Sequence, residues 1–350
     1  MRVAPCNSIG VSVPSRLSQT VRAWTWRRTA LAVAGIVVAR AGDARRCSCG
    51  VWLSVPELPE VESVRRSLLP RLVGRAFLTA SLRRRDVAIA PGDPPGGFPR
   101  NRRSALRPKA ISAADMLAGA TITEIERRGK QLALIARSEN RALVVQLGMT
   151  GHLELAAERQ DDKMRHVHAR WEFAGGALHF RDPRRFGALR IFRSLDALRE
   201  HWSTLGPDAL SIQDEELAGA LAGSDRPIKA ALLDQCVLAG VGNIYADEAL
   251  FLSHVHPRAR TCRLRPAQVA TLASMIRLVL NRAIEHGGSS IRDYTDGSGR
   301  RGSYQDRHGV YGRAGLPCLI CHRKLSSGLV AQRTTVWCAT CQPLTLKTNA

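Results

Sequence analysis

Two cysteine pairs near the C-terminus, Cys318-x2-Cys321 and Cys338-x2-Cys341, constrain this 350-residue chain more than any other feature. Sixteen residues separate the pairs, and the intervening Thr334-Thr335-Val336 is β-prone. Four thiolates at that spacing close a tetrahedral zinc site with no open coordination position, so a single Zn2+ here is structural. It staples a hairpin too small to fold alone. Cys6, Cys47, Cys49, Cys236 and Cys262 are scattered, which argues against a disulfide framework and for a reducing compartment.

Charge narrows the class of partner. The chain carries 52 Lys+Arg against 30 Asp+Glu, a formal net charge of +22. Residues 1–55 hold eight arginines, no lysine and one acid, Asp43, so they account for +7 and leave +15 on residues 56–350. An excess of that size implies a polyanion, usually nucleic acid.

The leader 1–55 reads as the product of a start codon placed too far upstream, with a transit peptide or an export signal as alternatives. Its apolar stretch, Ala30 to Ala39, is too short to span a membrane. Val55 stands where an initiator methionine is expected, just before Pro56-Glu57-Leu58-Pro59-Glu60-Val61-Glu62. That run has the character of a mature N-terminus. A proline nitrogen inside a peptide bond is an inert amide, whereas a terminal proline is a secondary amine that can attack an electrophilic sugar carbon.

Val61, Val64, Leu68 and Leu72 recur at helical spacing, with Pro59 suited to the first turn and Glu60 and Glu62 placed to complement the helix dipole. Residues 91–108 are rich in Pro, Gly and Arg and read as an inserted loop. Alternation at Ile122, Ile125, Leu132 and Leu134, the apolar run Leu143 to Leu147, and Trp171 to Phe180 turning at Gly175-Gly176 predict antiparallel strands. Helical patterns take over from Leu195, the clearest being Val269, Leu272, Ile276, Leu280 and Ile284, stopped by Gly287-Gly288. The fold class is therefore α+β: an N-terminal helix with an antiparallel β-sandwich, a helical region and a Cys-rich hairpin.

Further segments carry chemistry only weakly by themselves. Gly240-Val241-Gly242-Asn243 precedes a helix and could bring a phosphate onto backbone amides. Arg181-Asp182-Pro183-Arg184-Arg185-Phe186-Gly187 sets cations beside an aromatic, as extrusion of a base requires, but a buried salt bridge is the simpler reading. Met149 reads as core on pattern alone.

Taken in order from Pro56 to about Gln342, these segments resemble the bacterial formamidopyrimidine-DNA glycosylases, which share a fold with endonuclease VIII. The resemblance implies a leader 1–55, a catalytic helix and β-sandwich domain 56–193, a helix-two-turn-helix domain with lesion-recognition loop 194–312, a zinc finger 313–342 and a tail 343–350. It implies Pro56 as the nucleophile at the sugar C1′, Glu57 as the acid that protonates the ring oxygen, and Lys130 as a lysine engaging a phosphate beside the lesion. Met149, Arg184 and Phe186 match the triad that fills the gap left by the extruded base. Asn243 and Arg333 match residues that hold the lesion phosphate, Lys229 a lysine implicated in lesion processing, and Arg292 and Tyr311 lie in stretches resembling the recognition loop. Arg292 stands where many relatives carry lysine.

The implied activity is bifunctional: release of 8-oxoguanine and formamidopyrimidines from double-stranded DNA, then β,δ-elimination at the abasic site. The implied setting is the bacterial cytoplasm, with a monomer acting on damaged DNA and no membrane. Alternatives are an endonuclease VIII-like preference for oxidised pyrimidines, or an inactive zinc-dependent DNA-binding protein should the leader be retained.

Overall fold

The computed structural model describes residues 56–93, 110–157, 165–290 and 294–344, all within one compact unit. The leader, most of the 91–108 insertion, Arg292 and the end of the tail lie outside the described residues.

Helix α1 (Leu58–Leu72) starts where Pro59 restricts the backbone and buries Val61, Val64, Leu68 and Leu72. Among the described residues nine strands follow: β1 (Phe77–Leu82), β2 (Ala88–Ile89), β3 (Glu124–Arg128), β4 (Gln131–Ala136), β5 (Arg141–Gln146), β6 (His152–Ala156), β7 (Val167–Phe173), β8 (Gly176–Arg181) and β9 (Ala188–Phe192). They form a four-stranded sheet, β1-β7-β8-β6, and a five-stranded sheet, β2-β9-β5-β4-β3. The ladders are antiparallel as expected, except that the short β2 runs parallel to β9.

Phe77, Trp171, Leu178 and Phe180 join residues of the facing sheet and α1 in one core, and the Trp171 indole N–H donates to the Met116 carbonyl at 2.7 Å. That bond satisfies the ring's only polar atom. Strands β4 and β5 are apolar on both faces because helix α2 (Leu195–Ser203) covers the outer one with Leu195 and Leu198. Helix α2 thus packs on the outer face of the five-stranded sheet.

Helices α3 (Asp214–Leu221), α4 (Ile228–Leu232), α5 (Asn243–Leu252) and α6 (Pro266–Glu285) share a second core with Leu58. Hairpin β10 (Ser326–Val330) and β11 (Arg333–Trp337) turns at Ala331 and Gln332, both at positive φ, 49° and 60°. Two such residues in sequence match the twist of a tight hairpin. No described helix is long and apolar enough to cross a membrane.

Candidate active site and nucleic-acid interface

The start of α1 meets the start of α5. The buried Glu57 carboxylate accepts the backbone N–H groups of Gly242 at 2.7 Å and Ile244 at 2.9 Å. A Cβ on Gly242 would lie 2.3 Å from the Glu57 carboxyl carbon, so only glycine allows this approach. The anion received by these amides is thus a side chain of the protein, not the phosphate that the glycine pattern suggested. Pro56, also buried, directly precedes Glu57.

Burial raises the Glu57 pKa, opposed by Lys130 and by the three amides of Gly242, Ile244 and Tyr245. Desolvation thus favours the protonated acid while the amides and Lys130 favour the carboxylate. Lys130, half-buried, is lowered by desolvation and restored in part by Glu57 and Glu60. Its turn is anchored where Asp208 accepts the Gly129 N–H at 2.8 Å and a two-pronged contact from Arg127 at 2.7 and 2.9 Å.

Glu60 and Glu62 do more than complement a dipole. Glu60 accepts from the Tyr245 hydroxyl at 2.5 Å, Ser289 N–H at 2.7 Å and Glu57 N–H at 2.8 Å. Burial first, then the Glu57 charge, raise its pKa to about 7. It joins α1 to the loop after α6. Glu62 pairs with Arg65, Arg66 and Arg127; burial would raise its pKa, but these arginines outweigh that and hold it at about 2.

The loop carrying Met149 after β5 meets the loop carrying Arg184 and Phe186 after β8, where Arg184 N–H donates to the Thr150 hydroxyl at 3.2 Å. Gly148, at φ 66°, lies so close to the Phe186–Gly187 peptide that a Cβ would fall 2.4 Å from it. The two loops are therefore locked side by side. Asp182 is fully buried and pairs with no cation among the described residues: it accepts from the Thr150 hydroxyl at 2.5 Å and from Gly187 N–H at 2.7 Å. Arg184 and Phe186 are exposed, with the guanidinium 4.7 Å from the ring centroid, and Met149 is half-buried. A cation stacked on a solvent-facing ring suits insertion into a base stack.

Asn243, at the first turn of α5, donates to the Thr334 carbonyl at 3.0 Å, beside the exposed Arg333 at the hairpin tip. The Arg333 charge is felt at Lys130, Lys229 and Tyr311, so these cations converge on one region. Tyr311 is buried and hydrogen-bonded to Asn243; burial dominates and its phenol is raised to about 12.

Lys229, which the resemblance matched to a lysine implicated in lesion processing, lies in the interior. It is fully buried, 2.6 Å from Asp247, and donates to the Thr335 hydroxyl at 2.8 Å, while Asp247 accepts Val336 N–H at 3.1 Å. The pair ties α4 and α5 to β11, next to Arg333. Lys229→Met strands the Asp247 carboxylate and is expected to cost about 3–5 kcal/mol of stability. Lys229→Met with Asp247→Leu should recover most of it, as read by denaturant unfolding at neutral pH.

Asp247 and its neighbour Glu248, whose carboxylate accepts from Gly309, Val310 and Tyr311 N–H at 2.8–3.0 Å, were not singled out in sequence. The available signal was an Asp-Glu pair inside the apolar run of α5.

The four cysteine sulfurs lie within 4.8 Å of one another, with Cys318–Cys341 at 3.9 Å and Cys321–Cys338 at 3.4 Å. Four thiolates around one zinc at about 2.3 Å stand roughly 3.8 Å apart, so the set fits Zn2+. Ile320 and Cys341 N–H groups bond the Cys318 and Cys338 sulfurs. Elemental analysis should find one zinc per chain, and Cys338→Ser should lose it and weaken DNA binding by loosening the β10–β11 hairpin.

The family model for the formamidopyrimidine-DNA glycosylase N-terminal domain matches residues 55–189, and that for the H2TH domain of the same enzymes matches 205–295. The formamidopyrimidine-DNA glycosylase of Symbiobacterium thermophilum is 40% identical over 294 residues, covering 83% of this chain and 90% of its own. Among solved structures, Lactococcus lactis Fpg bound to DNA containing an abasic site superposes with a TM-score of 0.70 at 32% identity, over 82% of this chain and 100% of that one. A variant of the same enzyme bound to Fapy-dG-containing DNA gives a TM-score of 0.70 at 32% identity over the same shares. With Glu57 clamped at the start of α5, two loops locked side by side after β5 and β8, a hairpin beside the four cysteines, and these matches, the chain belongs to the formamidopyrimidine-DNA glycosylase family.

Proposed function

We propose that this protein removes oxidised purines, 8-oxoguanine and formamidopyrimidines, from double-stranded DNA and cleaves the strand at the resulting abasic site, as a base excision repair glycosylase and lyase. The observation that carries the reading is the buried Glu57 carboxylate, held by Gly242 and Ile244 and adjoining Pro56. Its raised pKa suits an acid that protonates the sugar ring oxygen while the Pro56 amine, once freed from its peptide bond, attacks C1′. The resulting iminium acidifies the sugar, and β- then δ-elimination follow.

Lys130, Asn243 and Arg333 hold the phosphates around the extruded nucleotide, and Met149, Arg184 and Phe186 fill the vacated stack. Arg292 and Tyr311 belong to the recognition loop and its base. Lys229 serves them through the hairpin rather than by touching DNA. Zinc, held by Cys318, Cys321, Cys338 and Cys341, supports the hairpin and takes no part in the reaction. The enzyme acts as a monomer in the bacterial cytoplasm.

Single-turnover kinetics on 8-oxoguanine opposite cytosine and on thymine glycol provide the test. Faster release of thymine glycol would assign an endonuclease VIII-like preference, and binding without release of either base would make the protein a zinc-dependent DNA binder. Arg184→Ala should reduce discrimination of the opposite base about tenfold, through the loss of about 1–3 kcal/mol of contact with the orphaned cytosine. Affinity should fall steeply with salt, and Arg333→Ala should make the log–log slope shallower by about 0.9.

A further inference from the structure

A cavity of about 530 Å³ opens between the α5–α6 connection and the residues following Cys341. Arg258, Arg260, Arg263 and Arg265 line it, and among the described residues no carboxylate does. The Arg258 guanidinium is steadied over the Trp337 ring, 5.4 Å from its centroid. Arg260 donates to the Asp225 carbonyl at 2.7 Å, with the Asp225 carboxylate 3.8 Å away and outside the lining. Val255 and Leu264 supply apolar wall, and the Val255 carbonyl is bonded by Gln342 at 2.8 Å, which joins the two sides.

The cavity lies beyond the C-terminal end of α5, whereas Asn243 begins that helix. Ten residues of helix place the two about 15 Å apart along the axis. The arginines here therefore stand apart from the phosphates that Asn243 and Arg333 would hold. Guanidinium groups select carboxylates or phosphates, and both bind them in two-pronged fashion. A concave site with apolar wall favours a protruding side chain over the smooth ridge of a phosphodiester backbone, and its volume is in the range of pockets that bury most of a small ligand's surface.

We propose that this cavity docks an acidic peptide segment of a partner protein, its carboxylates on Arg258 and Arg263 and an apolar side chain against Val255 and Leu264. The site would tether the enzyme to a partner while leaving the lesion-binding face free.

Fluorescence anisotropy tests it with a rhodamine-labelled Asp-Asp-Asp-Leu-Leu peptide and the full chain, with and without saturating abasic-site duplex. Saturable binding is expected, unchanged by the duplex, absent for a peptide with lysines in place of aspartates, and weakened at least about tenfold in Arg258→Ser/Arg263→Ser. That variant should keep its melting temperature and its affinity for the duplex, since both side chains are exposed. Leu264→Asp should repel the same peptide. Absence of saturable binding, equal binding by the double variant, or displacement by the duplex would overturn the proposal, the last by assigning the arginines to the DNA backbone.

Discussion

A chain made to begin at Pro56 is expected to be trapped covalently on abasic-site DNA by borohydride, and the 350-residue chain is not. The difference is chemical rather than conformational. A terminal proline nitrogen has the pKa of an α-amino group, about 7.7–8.0, leaving on the order of a tenth of it unprotonated at neutral pH. In a peptide bond the same nitrogen has neither proton nor available lone pair. The surroundings are otherwise assembled: Leu58 N–H bonds the Gly240 carbonyl at 3.2 Å, and Glu57 is seated on α5. The adduct is read as a mass increment on the N-terminal peptide. Equal trapping of the full chain, with the increment on Lys130, would move the nucleophile to that half-buried lysine, whose pKa desolvation lowers.

Glu57→Gln should slow base release by roughly 10²- to 10⁴-fold, the usual worth of a positioned general acid. The amide cannot deliver a proton, and its NH2 group can be turned toward the Gly242 or Ile244 N–H, where donor meets donor. Duplex affinity should change little, because Lys130, Asn243 and Arg333 are untouched. Glu57→Asp is expected to fail as well, since one methylene fewer withdraws the carboxylate from these amides. Single-turnover excision beside a binding isotherm separates the two quantities, and an unchanged excision rate in Glu57→Gln would remove the acid from the mechanism.

The two experiments probe residues that differ in how far the sequence discloses them. Pro56 and Glu57 stand in a seven-residue run, and the cysteine pairs announce their metal by spacing, because the terminal amine proposed for Pro56 and a tetrahedral site are local requirements. The helical period from Val61 to Leu72 and from Val269 to Ile284 reappears in α1 and α6 for the same reason: a buried stripe writes its period directly into the chain. Even the packing of α2 on the sheet left a trace in β4 and β5, apolar on both faces, although nothing local named the helix as their cover.

Tertiary contacts alone decided what Glu57, Gly242 and Lys229 do. Glu57 and Gly242 are 185 positions apart, and the glycine's purpose, clearing room for a carboxylate rather than a phosphate, exists only once α1 is laid on α5. Nothing in the sequence around Lys229 shows that folding removes it from water and pairs it with Asp247. Spacing records requirements that one segment meets alone. Burial, pKa and the identity of a partner follow from the low-dielectric interior formed where distant segments close, and no local pattern encodes which segments those are.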